Sequence, residues 1–235
     1  MNAQSSPVLS PADPRGAGRI AALFDMDYTV LCGSSGKLFL KWLRETGRLP
    51  LRQSVAVAGW VGLYITGIVN FPSLISRVML HAAGADDAAT WQMSEIWFDE
   101  VVAHRISPQA RARVESHREQ GHHVAIVSAA TAYAVKPISE ALGVGDAYIA
   151  TELEVVDGRL TGAVRQPACY GPGKVLKTRA YAAAMGIDLA ASYFYSDSIS
   201  DLPLLEAVGH PVAVNPDRRL RKLASTRGWP IETFC

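Results

Sequence analysis

The stretch "ALFDMDYTVLCGSSG", residues 22–36, decides how this chain is read. Ile20 to Phe24 is a short, uninterrupted apolar run, the pattern of a strand buried on both faces. Asp25 and Asp27 follow at once, two residues apart. Like charges that close repel, so two carboxylates at the tip of a buried strand call for a use.

Working outward, the second half of the chain alternates strand and helix signals. "HHVAIVS" (122–128) reads as a buried strand, and a helix is expected from about Thr131 to Leu142. "DAYIAT" and "SYFYS" read as strands, as does "PVAV". "GKVLKTRAYAAAMG" reads as a helix ending at Gly186, and "DLPLLEAVG" and "DRRLRKLASTRG" as two more. Asp157-Gly158 between β-branched runs signals a hairpin. Strands alternating with helices predict a parallel sheet covered on both faces.

Between the first strand and "HHVAIVS" nothing reads as a strand. Ser34 or Ser35 caps a helix through "GKLFLKWLRET", closed by Gly47. "WQMSEIWFDEVVAHRI" is helical in period, and "SPQARARVESHREQG" has Ser107 as N-cap, Pro108 at N1 and Gly121 as C′. The expected fold is therefore α/β, a Rossmann-like three-layer parallel-sheet core with an all-helical cap inserted after the first strand. The expected division is a disordered tail (1–18), a core (19–33 and 106–235) and a cap (34–105).

The bulk numbers narrow the function. The chain has 235 residues and a net charge of +1, which leaves no electrostatic footprint for nucleic acid or anionic membranes. Cys32, Cys169 and Cys235 are scattered, with no C-x-x-C pair, so no disulfide framework and a cytoplasmic location are expected. The uncharged run 53–76 has enough length to span a bilayer. Gly59, Gly62, Gly67, Asn70 and Pro72 interrupt it, so buried helices are favoured over membrane contact. A homodimer through this apolar cap stays open. "GHH" (121–123) reads as a surface turn, and the cap tryptophans as core packing.

In parallel α/β sheets, ligands bind beyond the carboxyl ends of the strands. Those ends deliver Asp25 and Asp27, then Ser128, then Ser196, Asp197, Ser198 and Asp201. Lys174 opens a helix after "YGPG". Four carboxylates gathered on one edge need a cation, and Mg²⁺ takes oxygen ligands, with one or two carboxylates plus substrate phosphate oxygens. Lys174 and Ser128 supply a point charge and a hydroxyl donor for a phosphate. An Asp nucleophile then gives phosphoryl transfer through an aspartyl-phosphate, with Asp27 as acid and base. Singly, each signal is ordinary: D-x-D is common in loops, a Ser after a strand usually caps a helix, and "YGPGK" does not match the Walker pattern. Their order along the strand ends carries the reading.

"FDMDYTVL", "IVSAAT", "GPGK" and "YSDSISDLPLLEAVG" together resemble the haloacid dehalogenase superfamily, over about residues 20–231. The helical insertion and "GHPVAVNPD" are similar to its phosphoserine-phosphatase-like branch (subfamily IB). The resemblance implies Asp25 as nucleophile and metal ligand, and Asp27 as acid/base with its carbonyl on Mg²⁺. It implies Thr29 holding the turn, and Ser128 with the Ala129 N–H on phosphate. Lys174 would neutralise charge, Asp197 would be the second metal ligand, and Asp201 would orient Lys174 or a metal-bound water.

Three positions depart from that branch. Ser34 stands where a Glu would hold a substrate ammonium. Ile75 aligns with an Arg for the substrate carboxylate, with Arg77 two residues on. Ser200 replaces an Asn. A small phosphate ester other than phosphoserine is therefore the expected substrate. Phosphoserine itself is one alternative, and a receiver-like phospho-aspartate signalling module another.

Overall fold

The computed structural model describes residues 18–48, 55–57, 59–60, 62–63, 68 and 71–235. The expected tail, apart from Gly18, and much of the 53–76 run lie outside the described residues.

Six strands form one parallel sheet. They are β1 (Ala21–Phe24), β2 (His123–Thr131), β3 (Tyr148–Thr151), β6 (Tyr193–Ser196), β7 (His210–Val214) and β8 (Ile231–Glu232), in the order β3-β2-β1-β6-β7-β8. Between β3 and β6, β4 (Leu153–Val156) and β5 (Arg159–Val164) form a separate antiparallel hairpin turned at Asp157-Gly158. The chain builds outward from β1 in one direction, then returns to its other side. That reversal puts the crevice of the sheet at the carboxyl end of β1.

Side-chain alternation in β1 fills both faces. Ala22 and Phe24 pack with Val124, Ile126, Tyr195 and Val212 on one side, where α4 (Pro108–Glu119) and α5 (Ala132–Ala141) add Val114 and Ile138. Ala21 and Leu23 point the other way, with Ala125, Val127 and Phe194. There α6 (Pro172–Met185), α7 (Leu202–Leu205) and α8 (Arg218–Arg227) contribute Val175, Leu204 and Leu220. The expected three-layer architecture is the one observed.

The described part of residues 35–105 is helical: α1 (Ser35–Glu45), α2 (Phe71–Met79), α3 (Asp87–Trp97) and a π-helical turn at Phe98–Val102. Trp42 and Trp97 join the Phe24 face of the core. Ile75 and Met79 pack on the hairpin beside Leu153, Leu160 and Val164. Ser34, not Ser35, caps α1 by accepting from the Lys37 N–H.

Several expectations need correction. Residues 84–87 form no strand but meet the hairpin at one isolated bridge, Asp86 with Arg159: the Gly84 and Asp87 N–H groups donate to the Leu160 and Gly158 carbonyls, and the Leu160 N–H donates to the Ala85 carbonyl. A main-chain contact of this kind leaves no hydropathy pattern. "DLPLLEAVG" is a single helical turn after a 3₁₀ turn at Ile199–Asp201. His122 and His123 are half-buried: His122 Nδ1 lies 2.8 Å from His117 Nδ1, and His123 Nε2 lies 2.8 Å from Tyr181 Oη. His117 is buried against Tyr195 Oη (2.7 Å), and burial, with His122 and Arg113, pushes it down to about 4. Finally, Cys32 and Cys235 are disulfide-bonded across 203 residues. Such a separation cannot be read from spacing, and the bond removes the cysteine argument for a cytoplasmic location. Among the described residues, no helix is long and apolar enough to cross a membrane.

Phe24 is fully buried and stacks on Tyr195, 4.4 Å between centroids. Phe24→Ala should cost about 3–5 kcal/mol, read as a lower urea midpoint. A loss below about 1 kcal/mol would mean the crevice does not rest on this stack.

Candidate active site

Parallel register brings the strand ends level. Phe24 pairs with Ile126 on one side and Tyr195 on the other, and the Asp25 N–H donates to the Tyr195 carbonyl (2.8 Å). The residues following β1 and β6 therefore face one another at the crevice. Asp25 and Asp201 are buried there, at 7% and 4% exposure.

Lys174 joins them. Its ammonium is 2.8 Å from Asp25 Oδ1 and 2.7 Å from Asp201 Oδ2, and the side chain is 2% exposed. The Ser196 hydroxyl donates to the same Asp201 oxygen (2.8 Å). Burial opposes the charge on Lys174, but Asp201 and Asp25 outweigh it and hold the ammonium above its ordinary range. The preceding glycine allows this approach: a Cβ on Gly173 would lie 2.2 Å from the Ala168 carbonyl oxygen.

Asp27 is held differently. Its Oδ1 accepts from the Ser35 N–H (3.0 Å) at the start of α1, where the helix dipole favours negative charge. Burial still raises its pKa. The turn between them is closed by main chain: the N–H groups of Val30 and Leu31 both donate to the Met26 carbonyl (3.0 and 2.9 Å). Thr29, expected to hold this turn, is fully buried, but its hydroxyl has no partner among the described residues. Tyr28 takes a left-handed φ of 56°, and its carbonyl accepts from Asn215 Nδ2 (2.7 Å).

The remaining predicted residues sit nearby. Ser128 is buried on β2, its Oγ accepting from the Ala130 N–H (3.1 Å). The Ala129 carbonyl accepts from the Thr151 hydroxyl (2.8 Å). Asp197 follows β6, and its carbonyl accepts from the Asp217 N–H (2.8 Å). Asp217 Oδ2 in turn accepts from the Ile199 N–H, which fixes this loop. Ser200 pairs with Ser198 Oγ (3.0 Å) rather than with Lys174. Sequence reasoning gave no role to Asn215 or Asp217, and to Ser35 only that of an alternative helix cap. Each acts through main-chain hydrogen bonds, and only Asp217, as an N-cap, leaves a local signal.

The charge balance is unmet. Lys174 contacts Asp25 and Asp201, leaving Asp197 with no ion pair among the described residues. Burial, then Asp201, pushes Asp197 up to about 7. Burial raises Asp25 as well, with Asp201 and Asp197 adding to it against the pull of Lys174. Among the described residues, no three His, Cys, Asp or Glu side chains converge as a metal-ligand set. Two carboxylates and the Asp27 carbonyl are all-oxygen donors, however, and a hard cation that keeps water and takes substrate oxygens needs no more protein side chains than these.

These observations agree with the comparisons. The profile of the haloacid dehalogenase-like hydrolases matches residues 22–206. The chain belongs to that family. A probable phosphatase of Mycobacterium tuberculosis is 36% identical over 235 residues, covering 98% of this chain and 81% of that protein. A second M. tuberculosis protein, named a phosphoserine phosphatase, is 31% identical, covering 99% and 80%. The crystal structure of a Bordetella pertussis protein of unknown function superposes with a TM-score of 0.85 at 31% identity, covering 93% of this chain and 100% of that one. Membership of a hydrolase family displaces the receiver-like reading.

A carboxyl group raised on folding holds its proton more tightly in the folded state. Its contribution is complete below the unfolded value and is lost as pH rises through the folded one. With Asp197 raised from 3.8 to about 7, the metal-free protein should lose melting temperature from about pH 4 to pH 7. A hard divalent cation should restore it at the upper end, and Asp197→Asn should flatten both responses. Equal flatness in the unsubstituted protein would show that Asp197 is not raised.

Proposed function

We propose that this chain is a Mg²⁺-dependent phosphomonoesterase that works through an aspartyl-phosphate on Asp25, with a small phosphorylated metabolite other than phosphoserine as substrate. The observation that carries the reading is the Lys174 ammonium buried between Asp25 and Asp201, beside an unneutralised Asp197.

With Oδ1 of Asp25 held by Lys174, Oδ2 is the oxygen left to attack phosphorus in line. Mg²⁺, when bound by Asp25, Asp197 and the Asp27 carbonyl, supplies charge neutralisation for the carboxylates and the phosphoryl oxygens. Ser128 and the Ala129 N–H hold those oxygens. Asp27, whose burial raises its pKa against the hydrogen bond from Ser35, gives its proton to the leaving alcohol. As a carboxylate, it then takes a proton from the water that opens the acyl phosphate. Asp201 acts through Lys174, which it positions. Thr29 and Ser200 belong to the loops that shape the site. Water and a phosphate monoester give an alcohol and inorganic phosphate.

The substrate reading rests on four side chains. The Ser34 hydroxyl serves as the α1 N-cap, and Lys37 stands in the same turn, so a cation rather than a carboxylate is offered there. Ile75 is packed on the hairpin core. The Arg77 guanidinium stacks 4.1 Å over the Trp60 ring. The relative named a phosphoserine phosphatase favours the second reading, phosphoserine itself.

Phosphate release across a panel of monoesters with Mg²⁺ separates the two readings. An uncharged or anionic leaving group should exceed phosphoserine by about 10⁴-fold in kcat/KM, the scale of leaving polar groups unpaired. Phosphoserine as the best substrate would reverse the assignment. Asp25→Asn should abolish turnover, and Asp27→Asn should retain a phosphoryl group on Asp25, visible in the intact mass. Full turnover by Asp25→Asn would end the aspartyl-phosphate mechanism.

A further inference from the structure

The loop that follows the nucleophile is fastened from outside itself, by the segment 231–235. That segment enters the sheet as β8, with Val214 paired to Glu232. Phe234 is buried, and its carbonyl accepts from the Ser107 hydroxyl (2.6 Å). Asn215 stands between segment and loop. Its Oδ1 accepts from the Phe234 N–H (2.9 Å) and the Cys235 N–H (3.4 Å), while its Nδ2 donates to the Tyr28 carbonyl (2.7 Å). Tyr28 is the residue held at φ 56°, next to Asp27. On the loop side, the Cys32 N–H donates to the Arg105 carbonyl (2.9 Å) and the Gly33 carbonyl accepts from Tyr28 (3.0 Å). The Cys32–Cys235 disulfide closes the circuit.

We propose that this disulfide is a reversible modification site at which a dithiol reductant unfastens the nucleophile loop and lowers turnover. Both cysteines are solvent-exposed, and exposed disulfides are the ones open to exchange. Cys169 is fully buried and stays out of the chemistry. A thiolate of the reductant attacks one cystine sulfur, the S–S bond breaks, and the departing cysteine thiolate takes a proton. The reductant's second thiolate then displaces the other cysteine and leaves as a cyclic disulfide, so two electrons pass to the protein. Released from Cys32, residues 234–235 hold Asn215 less firmly. Asn215 then holds Tyr28 less firmly in its strained conformation, and Asp27 loses its fixed distance from Asp25. The effect on turnover rests on the phosphatase reading; the fastening itself does not.

The test equilibrates the full chain in mixtures of reduced and oxidised dithiothreitol and divides each sample three ways. Native alkylation with peptide mass counts the thiols, p-nitrophenyl phosphate with Mg²⁺ reads turnover, and hydrogen exchange reads the amides of residues 26–33. Thiols at Cys32 and Cys235 should appear together. Turnover should fall about tenfold in step with them, the scale of a sub-ångström misplacement. Exchange at residues 26–33 should quicken in the same samples. Cys235→Ser and Cys32→Ser should each show the lower rate with or without reductant. Constant turnover while both thiols titrate overturns the proposal, as does full alkylation of both cysteines before any reductant is added. If no sample hydrolyses the ester, the phosphatase reading fails. Exchange at residues 26–33 then decides alone, and unchanged protection overturns the fastening.

Discussion

One ammonium group governs this structure. Lys174 is buried where four carboxylates gather, and it reaches two of them. Removing one partner of such a buried pair costs about 3–5 kcal/mol, because the other is left uncompensated. Asp25 and Asp201 lie far apart in sequence, so the contact exists only when β1 and β6 are adjacent, in register and parallel. The same cluster sets the electrostatics. Lys174 answers for Asp25 and Asp201; burial first, and then the neighbouring carboxylates, raise the pKa of Asp197 and Asp25. A cluster so charged is short of one neutralising group, which is the shortfall that the proposed cation and phosphoryl group would answer.

The second constraint is the shape of the loop after β1. It must reverse within a few residues, carry Asp27 back towards Asp25, and start α1. Main-chain bonds to the Met26 carbonyl make the reversal, and the N-terminus of α1 receives the Asp27 carboxylate. A non-glycine residue at φ 56° is the consequence. Strain of this kind persists only where surrounding contacts over-determine it. Here they come from Asn215 on the carbonyl side and from Gly33 on the amide side.

Much of this was legible in the sequence, for identifiable reasons. Buried parallel strands are continuous apolar runs, so β1, β2, β6 and β7 stand out, and the chemistry lies directly after them. Ser107, Pro108 and Gly121 mark α4 because caps are local. What escaped is what local pattern does not encode. β8 is two residues long and takes its identity from β7. The disulfide closes across 203 residues. Residues 84–87 meet the hairpin mostly through main chain, with the Arg159 guanidinium added on the Gly84 carbonyl. His117 reads as one more polar residue on a helix, yet it is buried against Tyr195 and His122. Thr29 was expected to hold the turn, and its buried hydroxyl makes no bond among the described residues while main chain closes the turn.

These two kinds of feature divide the work of the site. The residues proposed to carry the reaction stand at strand ends and helix starts, where sheet register places Asp25 and Asp197, while Asp27 also depends on the loop that Asn215 and residues 231–235 fasten. The residues that would meet a leaving group stand on α1 and on the helices that follow. Those helices are tied to the hairpin by the main chain of residues 84–87 and by the packing of Ile75 and Met79. That joint asks little of most helical side chains, so they can differ without disturbing Lys174 and its carboxylates. A relative can therefore share the reaction centre without sharing the substrate. The name carried by a phosphoserine phosphatase bears on Asp25 and Lys174 more than on Ser34, whose hydroxyl is already committed to capping α1.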